Sequence, residues 1–226
     1  MAKAFFVTGT DTEVGKTLVT TALMRAAKEV GKKVVGYKPV ASGCELVDGE
    51  LRNGDANAMQ REASIPLPYA MVNPYAFAPA IAPHIAARLA NESIQSGHIS
   101  QGLARLKETA ADWILVEGAG GWRLPLDEQH FLSDWVKREH LPVILVVGAK
   151  LGCINHALLT IEAIRRDGLS VAGWVLNRVD PDMQHFQENA ETLKRLISAP
   201  FLGELPWLSD EEIGYPEHFL DIAALL

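Results

Sequence analysis

The stretch Val7–Thr17, VTGTDTEVGKT, carries the residue types that hold phosphate. Gly15-Lys16-Thr17 follows the apolar run Ala4–Thr8 and opens an amphipathic stretch. In a strand–loop–helix arrangement the backbone N–H groups and the helix dipole at the helix N-terminus attract an anion. The lysine adds a mobile positive charge, and the hydroxyl of the first helical turn can ligate Mg2+. Gly15 permits a close backbone approach. The spacing departs from the usual form, which is Gly, four residues, then Gly-Lys-Ser/Thr. Thr10 stands where that form has its first glycine, Gly9 lies one residue earlier, and the loop holds two acids, Asp11 and Glu13. Asp11 fits a turn former that bonds its own backbone. Glu13 either turns away from phosphate or helps to position Mg2+ through water, and spacing leaves both readings open.

Other reactive residue types fall just after apolar runs. WILVEGAGG ends in Glu117, followed by Gly118, Ala119 and Gly120. A carboxylate at the end of a buried strand beside a phosphate loop is where Mg2+ needs a ligand. GYKPVASG places Lys38 past another run, with Ser42 beyond it; a lysine there either sits on the surface at a strand end or neutralises developing phosphoryl charge. LRNGDA puts Asp55 near a helix start, where capping is the ordinary role and a third carboxylate for a hard cation the functional one. Gly152, Cys153, Ile154 and Asn155 fall at another helix N-terminus, which suits a substrate carboxylate as well as it suits a plain turn. Cys153 lacks the His–acid pairing that a nucleophile needs. Asn177, after GWVL, offers the donor and acceptor that adenine recognition requires.

The elements that must position these residues are short strands alternating with helices. Strand patterns cover Ala4–Thr8, Lys33–Val40, Trp113–Val116, Pro142–Val147, Ser170–Leu176 and the APFLGELP run. Lys16–Val30 has apolar residues at helical spacing and is closed by Gly31, and NHALLTIEAIRRDG repeats that signature. Four strands are nearly continuous apolar runs, which predicts a mostly parallel sheet covered by helices on both faces. In such sheets ligands bind beyond the carboxyl ends of the strands. Ser64–Pro83 is rich in proline and is expected to hold no regular helix. It reads either as a cover over a pocket or as a surface connection.

The chain has 226 residues, 48% of them hydrophobic, and a net charge of −7. One large α/β domain fits that length. The acidic balance argues against a broad nucleic-acid surface. No stretch approaches the ~18 apolar residues of a membrane span. Cys44 and Cys153 form no metal or disulfide framework, which suits a reducing compartment, so a cytoplasmic protein is expected.

Taken together, VTGTDTEVGKT, GYKPVASG, LRNGDA, VNPYAFA, ADWILVEGAGGW, LPVILVVGAKLGCINHALLT, AGWVLN and GELPWL resemble the dethiobiotin synthetase family of biotin biosynthesis, in family order and over nearly the whole chain. The resemblance implies a single P-loop NTPase domain over residues 1–226. It implies a homodimer with two active sites near the interface, and neither nucleic acid nor membrane as partner. The implied reaction joins 7,8-diaminopelargonic acid with CO2 (from bicarbonate), using ATP with Mg2+, to give dethiobiotin, ADP and phosphate. By position, Thr17, Asp55 and Glu117 correspond to the Mg2+ ligands. Lys16 and Lys38 correspond to the charges on carbamate and transferred phosphoryl, and Thr12 and Ser42 to hydrogen-bonding hydroxyls near the carbamate. Glu13, Val14, Gly15, Lys16, Thr17, Leu18, Asp55, Glu117, Gly118, Ala119, Gly120, Asn177, Arg178, Pro206, Trp207 and Leu208 correspond to the nucleotide contacts. Ser42 and Gly152–Asn155 correspond to the substrate contacts, the latter supplied across the dimer. Where relatives commonly carry Ser or Thr near the start of a Pro-Ser-Pro-His-like stretch, this chain has Ala80-Ile81-Ala82-Pro83-His84, so no hydroxyl contact carries over. Which of Asp210, Glu211 and Glu212 meets the ribose stays open. Two rivals share the phosphate loop. A cobyrinate-type amidating ligase would need a glutaminase domain with a cysteine nucleophile, and a partitioning-type switch ATPase would carry a second lysine early in the loop, where Thr10-Asp11-Thr12 stands here.

Overall fold

The computed structural model describes residues 2–207 and 214–226. The chain begins with β1 (Lys3–Gly9), α1 (Lys16–Glu29), β2 (Val34–Tyr37) and β3 (Val40–Ser42). A hairpin, β4 (Glu45–Val47) and β5 (Glu50–Arg52), precedes α2 (Gly54–Glu62), α3 (Tyr69–Val72), β6 (Tyr75–Phe77), α4 (Pro83–Leu89) and α5 (Ser96–Lys107). The second half alternates regularly: β7 (Trp113–Glu117), α6 (Leu132–Arg138), β8 (Val143–Ala149), α7 (Cys153–Arg166), β9 (Val171–Arg178), α8 (Phe186–Leu196) and β10 (Phe201–Leu205). Two 3-10 turns, Pro216–Phe219 and Ala223–Leu225, follow.

Six strands form one sheet in the order β10-β9-β8-β1-β7-β2, and every pairing in it is parallel. The expectation of a P-loop NTPase fold with a parallel sheet covered on both faces is met. Alternation along the strands explains it. Phe5 and Val7 of β1 join Leu115, Ile144 and Val146 in a core against α1, while Phe6 joins Ile114 and Val116 in a core against α5 and α6. Further along the sheet, Leu145, Val147, Trp174 and Leu176 pack beneath α7 and α8. Both faces are apolar, so the strand sequences read as unbroken hydrophobic runs. β1 lies between β7 and β8, and the chain leaves it first toward the β2 edge and later toward the β10 edge. That reversal opens a crevice at the carboxyl end of β1, where Gly9 begins the phosphate loop.

Two expectations are corrected. The strand expected over Lys33–Val40 is divided, because Pro39 has no N–H for a ladder. β2 ends at Tyr37, and β3 pairs with β6 in a separate two-stranded sheet. The proline-rich segment does contain helix, a single turn at Tyr69–Val72 that begins just after Pro68. It also does more than cover or connect. The Lys38 N–H donates to the Val72 carbonyl at 2.8 Å, and the buried Asn73 amide donates to the Lys38 carbonyl at 2.7 Å. The segment therefore braces the backbone corner that carries Lys38.

α1 and α2 are clamped together by Glu62, which accepts hydrogen bonds from Arg25 at 2.9 Å and Lys28 at 2.7 Å. Burial pushes the Glu62 carboxyl up, but those two cations outweigh it and hold it below its ordinary value. α2 can lie against β2 because residue 36 is glycine: a Cβ there would sit 2.7 Å from Met59 Cβ. Gly36→Val should therefore push α2, with Asp55 at its start, off the sheet. We expect a loss of about 1–3 kcal/mol in urea unfolding from overpacking, with weaker MgADP binding by the protein that remains folded.

Candidate active site

Two strands deliver opposite charges to one point. Glu117, the last residue of β7, is fully buried, and Lys38, just beyond β2, is 3% exposed. The Lys38 ammonium donates to Glu117 Oε1 at 2.6 Å, to Asp55 Oδ2 at 3.0 Å and to the Gly118 carbonyl at 3.0 Å. All three of its protons are thus used. Burial alone would lower the Lys38 pKa, but the facing carboxylates of Glu117 and Asp55 outweigh it and raise the pKa. Asp55 shows the mirror image: burial raises its pKa, and Lys38 more than reverses that. A surface lysine at a strand end is thereby excluded.

Asp55 is available because another residue performs the capping. Asn53 precedes α2, and its Oδ1 accepts from the N–H groups of Asp55 and Ala56 at 3.0 and 3.3 Å. The Asn53 amide also donates to the Ser42 carbonyl at 3.4 Å. The first turn of α1 completes the group, since the Thr17 hydroxyl donates to Glu117 Oε1 at 2.9 Å. Glu117 Oε2 has no hydrogen-bond partner among the described residues and is buried. An orphaned carboxylate oxygen beside a hydroxyl and a second carboxylate is a donor set of oxygens, the kind a hard divalent cation takes. Thr17, Asp55 and Glu117 therefore fit Mg2+.

The phosphate loop closes over this floor. Val14 is fully buried, and its packing accounts for the displaced glycine, because a Cβ on Gly9 would lie 2.5 Å from Val14 Cγ2. Gly15 has φ +81°, and a side chain there would collide with the Asn177 amide. That amide donates to the Val14 carbonyl at 2.9 Å, so Asn177 at the end of β9 fastens the loop from below. Lys16 is buried, and its ammonium donates to the Asp11 carbonyl at 3.0 Å. Burial, aided by the nearby Lys38 charge, lowers the Lys16 pKa to about 8. Asp11 bonds the Thr12 N–H at 2.8 Å, the local turn expected of it, and also takes an unforeseen ion pair from Lys150 at 2.9 Å. Glu13 is exposed, in the left-handed region at φ 58°.

Two adjoining cavities result. One, of about 310 Å³, is lined by Thr12, Lys16, Thr17, Lys38, Ser42, Asp55, Ala119 and Gly120. The other, of about 320 Å³, is lined by Glu13, Gly15, Leu18, Asn177, Arg178, Pro206 and Trp207. A larger cavity, about 620 Å³, lies elsewhere, among His84, Arg88, His130 and Arg138, and holds none of these groups. Gly152, Cys153, Ile154 and Asn155 form the start of α7 as expected, next to the phosphate loop in the chain fold. Cys153 is buried in the core under α7, and its N–H donates to the Lys150 carbonyl at 3.0 Å. Leu208 and the acids Asp210, Glu211 and Glu212 lie outside the described residues. Asn53 and Lys150 were not anticipated. Asn before Gly-Asp is a capping signature that points to Asn53; nothing local points to Lys150, whose partner is 139 positions away.

A family model described as an AAA domain matches residues 3–212. The ATP-dependent dethiobiotin synthetase of Aeromonas hydrophila is 54% identical over 226 residues, covering all of both chains. Among solved structures, the cobyrinic acid a,c-diamide synthase of Mycobacterium smegmatis superposes with a TM-score of 0.60 at 15% identity, over 97% of this chain and 93% of that one. A ParA-family ATPase from Chlorobium tepidum superposes at 0.58 and 16% identity, over 100% and 93%. The last two establish the fold alone.

The buried pair carries a stability consequence. Lys38→Met should destabilise the metal-free protein by about 3–5 kcal/mol, because Glu117 is left as a buried charge without its main partner. Adding Glu117→Gln should restore part of that loss in urea unfolding with chelator present. An additive double variant would contradict the coupling.

Proposed function

This chain belongs to the ATP-dependent dethiobiotin synthetase family, and on that premise we propose that it converts 7,8-diaminopelargonic acid, CO2 and ATP to dethiobiotin, ADP and phosphate. It is an ATP-dependent ligase of biotin biosynthesis. The single observation that carries the finer reading is the convergence of Lys38, Glu117, Asp55 and Thr17 under the phosphate loop, with Thr12 and Ser42 on the same cavity wall.

One amine of the substrate adds CO2 and loses a proton, giving a carbamate. Thr12 and Ser42 hydrogen-bond it, and the Lys38 ammonium faces its charge. A carbamate oxygen then attacks the γ-phosphorus and ADP departs. Lys16 and the backbone N–H groups from Glu13 to Leu18 hold the charge that accumulates on the transferred group. The second amine attacks the carbonyl of the resulting carbamic–phosphoric anhydride, and ring closure expels phosphate. Mg2+ held by Thr17, Asp55 and Glu117 would neutralise phosphate oxygens. The cavity at Asn177, Arg178, Pro206 and Trp207 receives the base; Asn177 Nδ2 gives one proton to the Val14 carbonyl, which leaves its other proton and its Oδ1 for adenine. Gly118, Ala119 and Gly120 supply backbone to the nucleotide. The N-terminus of α7, Gly152–Asn155, takes the substrate carboxylate in a homodimer whose sites lie near the interface. The reading further assigns residues 1–226 to one domain and the protein to the cytoplasm. No helix among the described residues is long and apolar enough to cross a membrane.

ADP release from purified protein with MgATP and bicarbonate should depend strongly on added 7,8-diaminopelargonic acid. Equal turnover without the diamine would favour a nucleotide switch and sink the ligase reading. Among the protein that remains folded, Lys38→Ala should lower kcat by about 10²-fold or more, with a smaller loss of MgADP affinity; loss of affinity with kcat intact would remove Lys38 from catalysis.

A further inference from the structure

Asp11 is the loop acid that the reaction leaves without a task. Its two carboxylate oxygens face different parts of the molecule. Oδ1 accepts the Thr12 N–H at 2.8 Å, inside the phosphate loop, and Oδ2 accepts the Lys150 ammonium at 2.9 Å, in the turn between β8 and α7. The Lys150 carbonyl accepts the Cys153 N–H at 3.0 Å, so Lys150 belongs to the same turn as the α7 N-terminus. His156, one turn into α7, is close enough to act electrostatically on Asp11. A second seam runs parallel. The Thr10 N–H donates to the Val146 carbonyl at 2.9 Å, and Thr10 Oγ1 accepts the Gly148 N–H at 3.4 Å. These bonds prolong the β1–β8 ladder, which ends at Gly9↔Val146. Beyond the ladder, the Asp11–Lys150 pair is the charged link from the loop to the α7 turn.

Both side chains are roughly half exposed, 47% for Asp11 and 40% for Lys150. An ion pair so placed contributes little to global stability. Its effect is on geometry: displacing a group that only binds substrate raises KM and leaves kcat and folding nearly unchanged. We propose that Asp11 and Lys150 are positioning residues that tie the phosphate loop to the α7 turn, so that nucleotide binding orders the carboxylate-capturing end of the substrate site. The proposal rests on the reading of Gly152–Asn155 as the carboxylate site. In that reading the turn serves the neighbouring subunit, so the pair links the two active sites of a dimer.

The test compares Asp11→Asn, which keeps an acceptor for Thr12, with Lys150→Met, the double variant and Lys150→Arg. KM for the diamine should rise about five- to tenfold, equally in both single variants and in the double, since all lose one interaction. kcat, ADP affinity and melting temperature should hold, and Lys150→Arg should restore KM. Additive rises in KM, or unchanged KM, would overturn the tether. Hydrogen exchange gives a readout that does not need the diamine. MgADP should slow exchange at the amides of residues 150–155 in the parent chain but not in Asp11→Asn, while residues 12–17 stay protected in both. Protection of 150–155 that survives Asp11→Asn would overturn the proposal. If the parent chain shows no diamine-dependent turnover, the functional reading fails and the exchange comparison alone judges the tether.

Discussion

The arrangement depends on one buried ammonium. Lys38 has lost its water, and the structure replaces that water with two carboxylates and a carbonyl within 3.0 Å. Desolvating a charge costs several kcal/mol unless partners of good geometry repay it, so the positions of Glu117, Asp55 and Gly118 are coupled to that of Lys38. Much of the local architecture serves this coupling. Pro39 ends the strand, Asn73 and Val72 hold the corner, Gly36 lets α2 approach, and Asn53 caps α2 so that the Asp55 carboxylate is free to face inward.

Charge of both signs is concentrated here because two requirements meet. On the proposed reading a triphosphate and a hard cation would share this floor, one needing positive groups and the other oxygens. Lys16 and Lys38 lie close enough that the second lowers the pKa of the first, and Glu117 and Asp55 offset the repulsion. Lys38 bonds both carboxylates, whereas Lys16 bonds the Asp11 backbone carbonyl; an anion beside Lys38 would compete for its protons and release acceptors for a cation. The orphaned Glu117 Oε2 is consistent with such an exchange.

The scaffold is shared with proteins of other activities: an amidating synthase and a ParA-family ATPase superpose on it at 15% and 16% identity. Parallel strands and a phosphate loop at a topological switch point supply a place for nucleotide and nothing more specific. In this chain the phosphate loop carries Thr10-Asp11-Thr12. Thr10 bonds the neighbouring strand, and Asp11 reaches across to Lys150.

The sequence by itself determined the parallel sheet, because strands buried on both faces must be apolar throughout, and it located the phosphate loop, because Gly-Lys-Thr after a strand and before a helix has a local meaning. It also marked Lys38, Asp55 and Glu117 as candidates, since each follows an apolar run. It left undecided whether Asp55 caps a helix, whether Lys38 is on the surface, and what Asp11 does. Those answers came only from tertiary structure. Asp55 is spared by Asn53, Lys38 is buried by residues 34 and 79 positions away along the chain at Val72 and Glu117, and Asp11 meets a lysine 139 residues later. A carboxylate's role is set by the charge that faces it, and in this chain the facing charges are brought together by strand order, which no local pattern of residues encodes.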